Sequence, residues 1–495
     1  MKLVLSGHDH RYAVEQIMLA LFPEERPEYA TTAPDVEEDF TSVRLSRGAK
    51  NVTASAVIRL GGRRSAGLAR APLAALTGKL ERDRVEQKLI KLAFYRAGVR
   101  LLPEKPVWGA LTGIRPGTLV TKRLKEGATP ERAARELERV YCVAPERAAL
   151  CADTARAALA VESRLEKRDI ALYIGIPFCP TRCAYCSFVS QSVEKSLSLI
   201  PPFLTALGRE LEALGRVVRE LDLRVIAVYF GGGTPTTLSA AELTSLLALI
   251  ARTFDLSAVR EYCVEAGRPD TVTAEKLDAL ARGGVTRISI NPQSMNGAVL
   301  AAIGRRHTPE DIRRAYALAR ERFAGDVNMD LIAGLPADTP ESFAATLEEI
   351  VALRPENVTV HTLALKKGSR ITLEGTPLPD KAAVGRMLDG AGASLRGAGY
   401  APYYLYRQKF MSGGFENVGW SLPGHESLYN VFIMEELGTV LAAGGGGSTK
   451  LVCRETGQIS RVFNKKYPKE YIESIEETLA EKQKILTFYA KTASL

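Results

Sequence analysis

The amino-acid sequence predicts an α/β protein built around a partial (β/α)6 barrel, with an α+β domain before it and an α/β extension after it. Three observations carry this expectation. Between about residues 170 and 363, short apolar runs alternate with amphipathic helical stretches, six runs in all. The runs carry few alternating polar residues, the pattern of parallel strands covered on both faces by helices. The chain, at 495 residues and 46% hydrophobic, is long and apolar enough for a large core and about three domains or fewer.

The elements follow in order. A strand is expected over 2–6, a helix over 12–21 and extended segments over 41–45 and 52–60. From Asp83 the pattern turns helical, over 85–98, 116–126, 130–141 and 145–164, with several stretches opening on proline, whose missing N–H costs nothing in a first turn. The barrel strands are expected over 171–176, 225–230, 261–265, 287–291, 327–332 and 358–363. Their helices are expected over 202–220, 240–253, 274–282, 309–323 and 340–353. Beyond about Gly368 come a helix over 381–397, a strand over 403–408, the glycine run Gly444 to Gly447 and a charged helix over 468–489. The expected domains are therefore 1–165, 166–367 and 368–495.

Lys plus Arg number 66 against 57 Asp plus Glu, a net charge of +9 that accommodates an acidic substrate and falls short of a nucleic-acid footprint. No uncharged apolar run approaches the ~20 residues of a membrane span, and the start is too short and soon too polar for a signal peptide. A cytoplasmic protein with no nucleic-acid partner and no membrane span is expected. Of seven cysteines, Cys179, Cys183 and Cys186 fall within eight residues, a spacing suited to a metal site rather than to disulfides in a reducing compartment. Cys142, Cys151, Cys263 and Cys453 are scattered and read as small core residues or bystanders. His8 and His10 are too few for a metal site by themselves and read as a solvated turn, and Arg115 in "WGALTGIRPGTLV" (108–120) as an anion contact or a solvated side chain.

The strongest chemical signal is "YIGIPFCPTRCAYCSF" (173–188), a C-x-x-x-C-x-x-C loop directly after the first barrel strand. Zinc would need a fourth Cys or His nearby, and none of the five histidines lies within 100 residues of this loop. Three thiolates on a [4Fe–4S] cluster instead leave one iron open to a substrate or cofactor. The second strand runs out into "YFGGGTPT" (229–236), where consecutive glycines let the backbone approach a ligand and aim N–H groups at a carboxylate.

On these motifs the chain resembles the radical S-adenosylmethionine (SAM) enzymes. The resemblance implies a TIM-like radical SAM barrel with a [4Fe–4S] cluster and SAM as cofactors. Cys179, Cys183 and Cys186 would be the metal ligands, and Gly232, Gly233 and Thr234 would contact SAM. It further implies that cluster reduction cleaves SAM to methionine and a 5′-deoxyadenosyl radical that abstracts a substrate hydrogen. No side chain is singled out as catalytic. Within the superfamily the pattern is similar to the oxygen-independent coproporphyrinogen III oxidases, especially the HemZ-type dehydrogenases, and to their haem-chaperone relatives. Position by position, that implies SAM contacts from Tyr173, Glu265, Gln293 in "ISINPQSMN", Arg305, Asp330 in "NMDLIAGLP" and Ala364, all at or near strand ends where a barrel places its site.

The resemblance extends to the leading "WGALTGIRP" and the trailing "YYLYRQKFMSGGFENVGW" (403–420), so it covers nearly the whole chain. It implies oxidative decarboxylation of two propionates of coproporphyrinogen III to vinyls, giving protoporphyrinogen IX, with an electron donor such as flavodoxin or ferredoxin. The alternatives are a haem chaperone and a radical SAM enzyme acting on another substrate. Arg407 and Lys409 are the candidates for gripping the carboxylates of a tetrapyrrole, because a guanidinium holds a carboxylate by two hydrogen bonds. Two positions depart from the family. Phe188 stands where the oxidases carry a further cysteine, and Glu416-Asn417 where the chaperones carry His-Asn.

Overall fold

A computed structural model describes residues 1–30, 38–76, 78–186, 191–192, 196–366, 368–408 and 411–493. The chain divides into two compact units, Met1–Ala152 and Asp153–Leu495. The division falls inside the helix Pro145–Glu162, ahead of the boundary expected at 165.

In the first unit five strands, β1 (Lys2–Ser6), β2 (Glu28–Tyr29), β3 (Phe40–Arg47), β4 (Asn51–Leu60) and β5 (Arg63–Pro72), form one sheet in the order β2-β1-β3-β4-β5. Strand periodicity puts Thr41, Val43 and Leu45 of β3 and Val52, Ala54, Ala56 and Ile58 of β4 on one buried face. The helices Arg11–Leu21 and Lys79–Gly98 supply the other half of that core through Val14, Ile17, Met18, Ile90, Ala93 and Phe94. The sequence reading missed β5, because arginines at 63, 64 and 70 and small residues replace the apolar alternation that marks its neighbours.

The second unit is the expected partial barrel. Its strands are β6 (Asp169–Ile176), the short pair β7 (Phe178–Cys179) and β8 (Gln191–Ser192), then β9 (Arg224–Gly232), β10 (Glu261–Glu265), β11 (Arg287–Ser289), β12 (Asp326–Ala333) and β13 (Asn357–Thr362). Strands β6, β9, β10, β11, β12 and β13 lie side by side in that order and all run parallel. The connecting helices start where their caps dictate. Ser239 with Glu242 and Thr308 with Asp311 form reciprocal capping boxes, and Thr273 and Thr339 cap through their hydroxyls.

The segment after 367 does not separate as a third domain. Its strands β14 (Ala401–Tyr406) and β15 (Asn417–Ser421) extend the sheet antiparallel from β13. Strand β16 (Val440–Gly444) runs parallel to β6 at the opposite edge, followed by β17 (Ser448–Val452) and β18 (Ile459–Phe463). Hydrogen bonding to both edge strands makes this segment part of the barrel unit. The single helix expected over 468–489 is three, Pro468–Glu473, Ile475–Glu481 and Gln483–Ala493. Its second break places Lys482 in the interior, where the ammonium pairs with the fully buried Glu210. Glu210 also accepts from Tyr471 Oη (2.5 Å), Asn464 Nδ2 (2.8 Å) and Gly444 N (2.8 Å), a set of partners that compensates the burial of its charge. No helix among the described residues is long and apolar enough to cross a membrane.

Candidate active site

The site lies at the C-terminal ends of the barrel strands. Strand β6 delivers the chain to the cysteine loop, and its exit is hemmed by glycine. A Cβ at Gly444 would run into the Gly175 carbonyl, and one at Gly445 would stand 2.7 Å from the Pro177 ring. The run Gly444 to Gly447 is therefore the backbone against which the stem of the loop packs.

The glycine-rich exit of β9 is stitched to the same stem. Gly233 N donates to Ile176 O and Thr234 N to Phe178 O, both at 2.7 Å, and a Cβ at Gly233 would collide with the Phe178 carbonyl. These two N–H groups are committed to the chain, a correction to the expectation that the motif aims them at a carboxylate. The glycines bring two strand exits together, and Gly232 takes the left-handed region at φ 103° to do so. Thr234 Oγ1 then lies 3.6 Å from Cys179 Sγ as a hydrogen-bond donor.

Cys179, Cys183 and Cys186 are half-buried and outside any disulfide. The loop is held at Ala184, whose N–H donates to Ile303 O (2.9 Å) and whose carbonyl accepts from Ile371 N (3.3 Å). Arg305, buried after the helix Gly297–Ala302, donates from Nη2 to Tyr185 Oη (3.1 Å) and from Nη1 to Asn291 O (2.7 Å). The structure thus puts Arg305 directly against the cysteine loop.

Below the loop three tyrosines stack inside the barrel. Tyr229 lies 4.3 Å from Tyr429 and 6.3 Å from Tyr173 between ring centroids. Tyr229 Oη donates to Glu265 Oε1 at 2.5 Å. Burial lifts the Glu265 carboxyl to about 7; Asp330 adds to the rise, while the Tyr229 hydrogen bond and His361 oppose it. Asp330 behaves oppositely. Burial pushes it up, yet His361, with Nε2 3.7 Å from Oδ2, and Asn328, donating at 2.8 Å, outweigh that and hold it below its ordinary value. Gln293 adopts φ 68° and bridges to β12, its N–H donating to Asp330 O at 2.9 Å. Its Oε1 is buried without a partner, as are Ser289 Oγ and Asn291 Oδ1. Ala364 bridges to Met411 at the end of β13.

The remaining expectations divide. Arg407 is half-buried, its Nη2 donating to Gly414 O at 2.8 Å, whereas Lys409 and Phe188 lie outside the described residues. Glu416 is buried, and Asn417 Oδ1 accepts from Thr362 N at 2.8 Å, so the pair ties β15 to β13. Cys151, Cys263 and Cys453 are buried as expected, while Cys142 is exposed in a left-handed helix cap. His8 and His10 do not form a solvated turn. Their rings stack at 5.7 Å, and His10 Nε2 meets Glu86 at 3.1 Å, whose two oxygens are held by Arg47. Sequence reasoning missed Tyr185, Tyr429, His361 and Arg268; Tyr185, between two cysteines of the loop motif, and Arg268, three residues beyond the end of β10, carried a signal.

Three thiols outside any disulfide, an arginine against their loop and a hydroxyl on one of them suit thiolates bound to an iron–sulfur cluster. Three orphaned oxygens on one side of the barrel suit a polar cofactor that supplies donors. Comparison with known proteins agrees. Residues 173–350 match the Radical SAM superfamily. The chain is 43% identical over 384 residues, 77% of each protein, to the oxygen-independent coproporphyrinogen-III oxidase-like protein HemZ of Bacillus subtilis. It is 29% identical over 306 residues to the heme chaperone HemW of Haemophilus influenzae, covering 61% of this chain and 76% of that one. The solved coproporphyrinogen III oxidase HemN of Escherichia coli, a radical SAM enzyme, superposes with a TM-score of 0.51 at 25% identity, over 66% of this chain and 73% of that one. Fold and site together define a radical SAM protein, whose cofactors are a [4Fe–4S] cluster and SAM. Within that superfamily the chain belongs to the HemZ-like family of coproporphyrinogen-III oxidase-like proteins.

Proposed function

We propose that this protein converts coproporphyrinogen III to protoporphyrinogen IX without oxygen, by oxidative decarboxylation of two propionates in haem biosynthesis. The observation that carries the reading is the 43% identity to HemZ, a coproporphyrinogen-III oxidase-like protein, over 77% of both chains. For each vinyl group formed, a propionate β-hydrogen is removed, CO2 leaves and one electron passes to an acceptor. Bound cluster and SAM supply the hydrogen-abstracting radical and the redox chemistry.

The chain's own residues do the rest. Cys179, Cys183 and Cys186 hold the cluster, and Arg305 fixes the loop that carries them through Tyr185. Asp330, kept ionised by His361 and Asn328, accepts hydrogen bonds from SAM, and Gln293 Oε1 offers a second acceptor. Glu265, titrating near neutrality, accepts or donates as the ligand requires. Tyr173 and Ala364 complete the SAM surface with the Gly232-Gly233-Thr234 exit. The tyrosine stack keeps water from reaching Glu265 from below. Arg407, whose Nη2 donates to the Gly414 carbonyl, is the candidate to grip a substrate carboxylate, with Lys409 as the second cation. A flavodoxin- or ferredoxin-type donor would supply the separate electron that reductive cleavage of SAM requires.

The second reading is a haem chaperone, favoured by the likeness to HemW. Against it stands Glu416, a buried carboxylate next to Asn417 where a histidine ligand is needed. Reconstituted protein given SAM, a low-potential reductant and coproporphyrinogen III under anaerobic conditions tests both. The oxidase reading expects protoporphyrinogen or its monovinyl precursor and no stoichiometric haem binding. One-to-one haem binding with transfer to an acceptor, and neither product, overturns it.

A further inference from the structure

We propose that Arg268 is a positioning residue that clamps the first half of the cysteine loop onto the barrel rim through Thr181, setting how firmly the cluster is held. The inference rests on the reading that Cys179, Cys183 and Cys186 bind the cluster, and it concerns a residue that is neither one of those ligands nor one of the proposed SAM contacts.

Arg268 stands where β10 leaves the barrel, and its backbone is fixed before its side chain acts. Gly267 turns the chain at φ 53° and donates to Ser289 O at 2.7 Å. Arg268 N donates to Ala266 O at 2.5 Å, and Arg268 O accepts from both Thr271 N (3.0 Å) and Thr271 Oγ1 (2.9 Å). The side chain is 3% exposed. Its Nε and Nη2 each meet one oxygen of Asp270 at 3.0 Å, a two-point contact that fixes the guanidinium plane. The third nitrogen, Nη1, donates to Thr181 Oγ1 at 2.6 Å and to Thr181 O at 3.2 Å. Thr181 lies midway between Cys179 and Cys183. A rigid path therefore runs from the end of a barrel strand, through one planar group, to the segment joining the first two ligands.

The arrangement uses all three guanidinium nitrogens, which a single ammonium cannot reproduce. Asp270 largely cancels the charge, so the effect is geometric: the loop is preorganised, and less conformational entropy is lost when three thiolates converge on one cluster. A buried arginine serving only its own turn would stop at Asp270; the contacts to Thr181 extend it to the ligand loop.

The test uses full-length protein reconstituted anaerobically, comparing wild type with Arg268→Lys, Thr181→Val and the double variant. Thr181→Val is close to isosteric and guards against misfolding of the arginine variant. Iron release to a chelator is timed alongside the thermal midpoint of the cluster-free protein. Each single variant is expected to take up a full cluster and lose it about ten-fold faster, the scale of lost outer-shell partners. The double variant is expected to be no faster than Arg268→Lys, with thermal midpoints unchanged. Wild-type release rates in both single variants, or faster release only in proportion to a lowered midpoint, would overturn the clamp. Failure of the wild type to take up iron would instead overturn the cluster reading on which it rests.

Discussion

The two ends of strand β11 answer opposite demands. At the floor of the barrel, Arg287 is buried among partners: Glu261 at 3.3 Å, Asp326 at 2.8 Å, Asn357 and the His425 carbonyl. Glu261 in turn receives Ser427 Oγ and the N–H groups of Leu428 and Tyr429, anchoring the helix Leu428–Met434 that carries Tyr429 into the tyrosine stack. Two, four and six residues further along, Ser289, Asn291 and Gln293 each leave a buried oxygen without a partner. A floor whose charges are matched favours stability, and unmatched acceptors at the mouth suit a ligand that brings donors. On the proposed reading, stability and binding are divided between Arg287 and the residues at and just beyond the end of β11, and substitutions there should separate them.

The largest effect belongs to the mouth. Changing Cys179, Cys183 or Cys186 to Ala is expected to abolish cluster assembly. The same change at Cys142, Cys151, Cys263 or Cys453 should leave iron content intact, and iron analysis after anaerobic reconstitution decides. At the floor, Arg287→Met strands Glu261 and Asp326 without their counter-charge. It is expected to cost about 3–5 kcal/mol, read as a lowered urea midpoint. A variant as stable as wild type would show that the floor network is not what holds the unit.

Gln293→Ala and Asp330→Ala should reverse that pattern. Cluster content and urea midpoint stay close to wild type, while SAM affinity falls by about 1–3 kcal/mol, visible as less deoxyadenosine at subsaturating SAM. Unchanged yield and affinity in both would return these residues to a structural role.

The smallest effect is a pH dependence. Glu265 binds its proton more tightly folded, at about 7, than its ordinary 4.5. Its favourable contribution is therefore complete below 4.5 and lost as pH rises through 7. Glu265→Gln removes that loss, so the variant should gain on wild type across this window by up to about 2 kcal/mol, less than the full shift because the side chain is part-exposed. Parallel stability curves from pH 4 to 8 would contradict it.

These contrasts also mark what was legible in the sequence. The six parallel strands and their helices were, since apolar runs and the caps at Ser239, Thr308 and Thr339 are local signals. The cysteine loop was legible for the same reason. The floor was not. Glu261 and Ser427 meet across 166 positions, and nothing local marks Tyr429 as a barrel residue. Strand β16, "VLAAG", is too short and too small in its side chains to stand out, although its pairing with β6 closes one edge of the sheet against the antiparallel β17 and β18. The helix over 468–489 read as continuous because its periodicity is; only Glu210, distant in sequence, explains why Lys482 turns inward. The glycine motif of β9 is legible as a strand exit, whereas spacing does not reveal that Ile176 and Phe178 take the N–H groups of Gly233 and Thr234.

A three-thiolate loop at the barrel mouth that holds a [4Fe–4S] cluster would leave one iron for SAM. Low-temperature electron paramagnetic resonance of the reduced, reconstituted protein, recorded with and without SAM, tests it most directly. The expected signal is that of a single cluster of about four irons and four sulfides per chain, shifted by SAM because one iron lacks a protein ligand. A full cluster whose signal SAM leaves unmoved would contradict it.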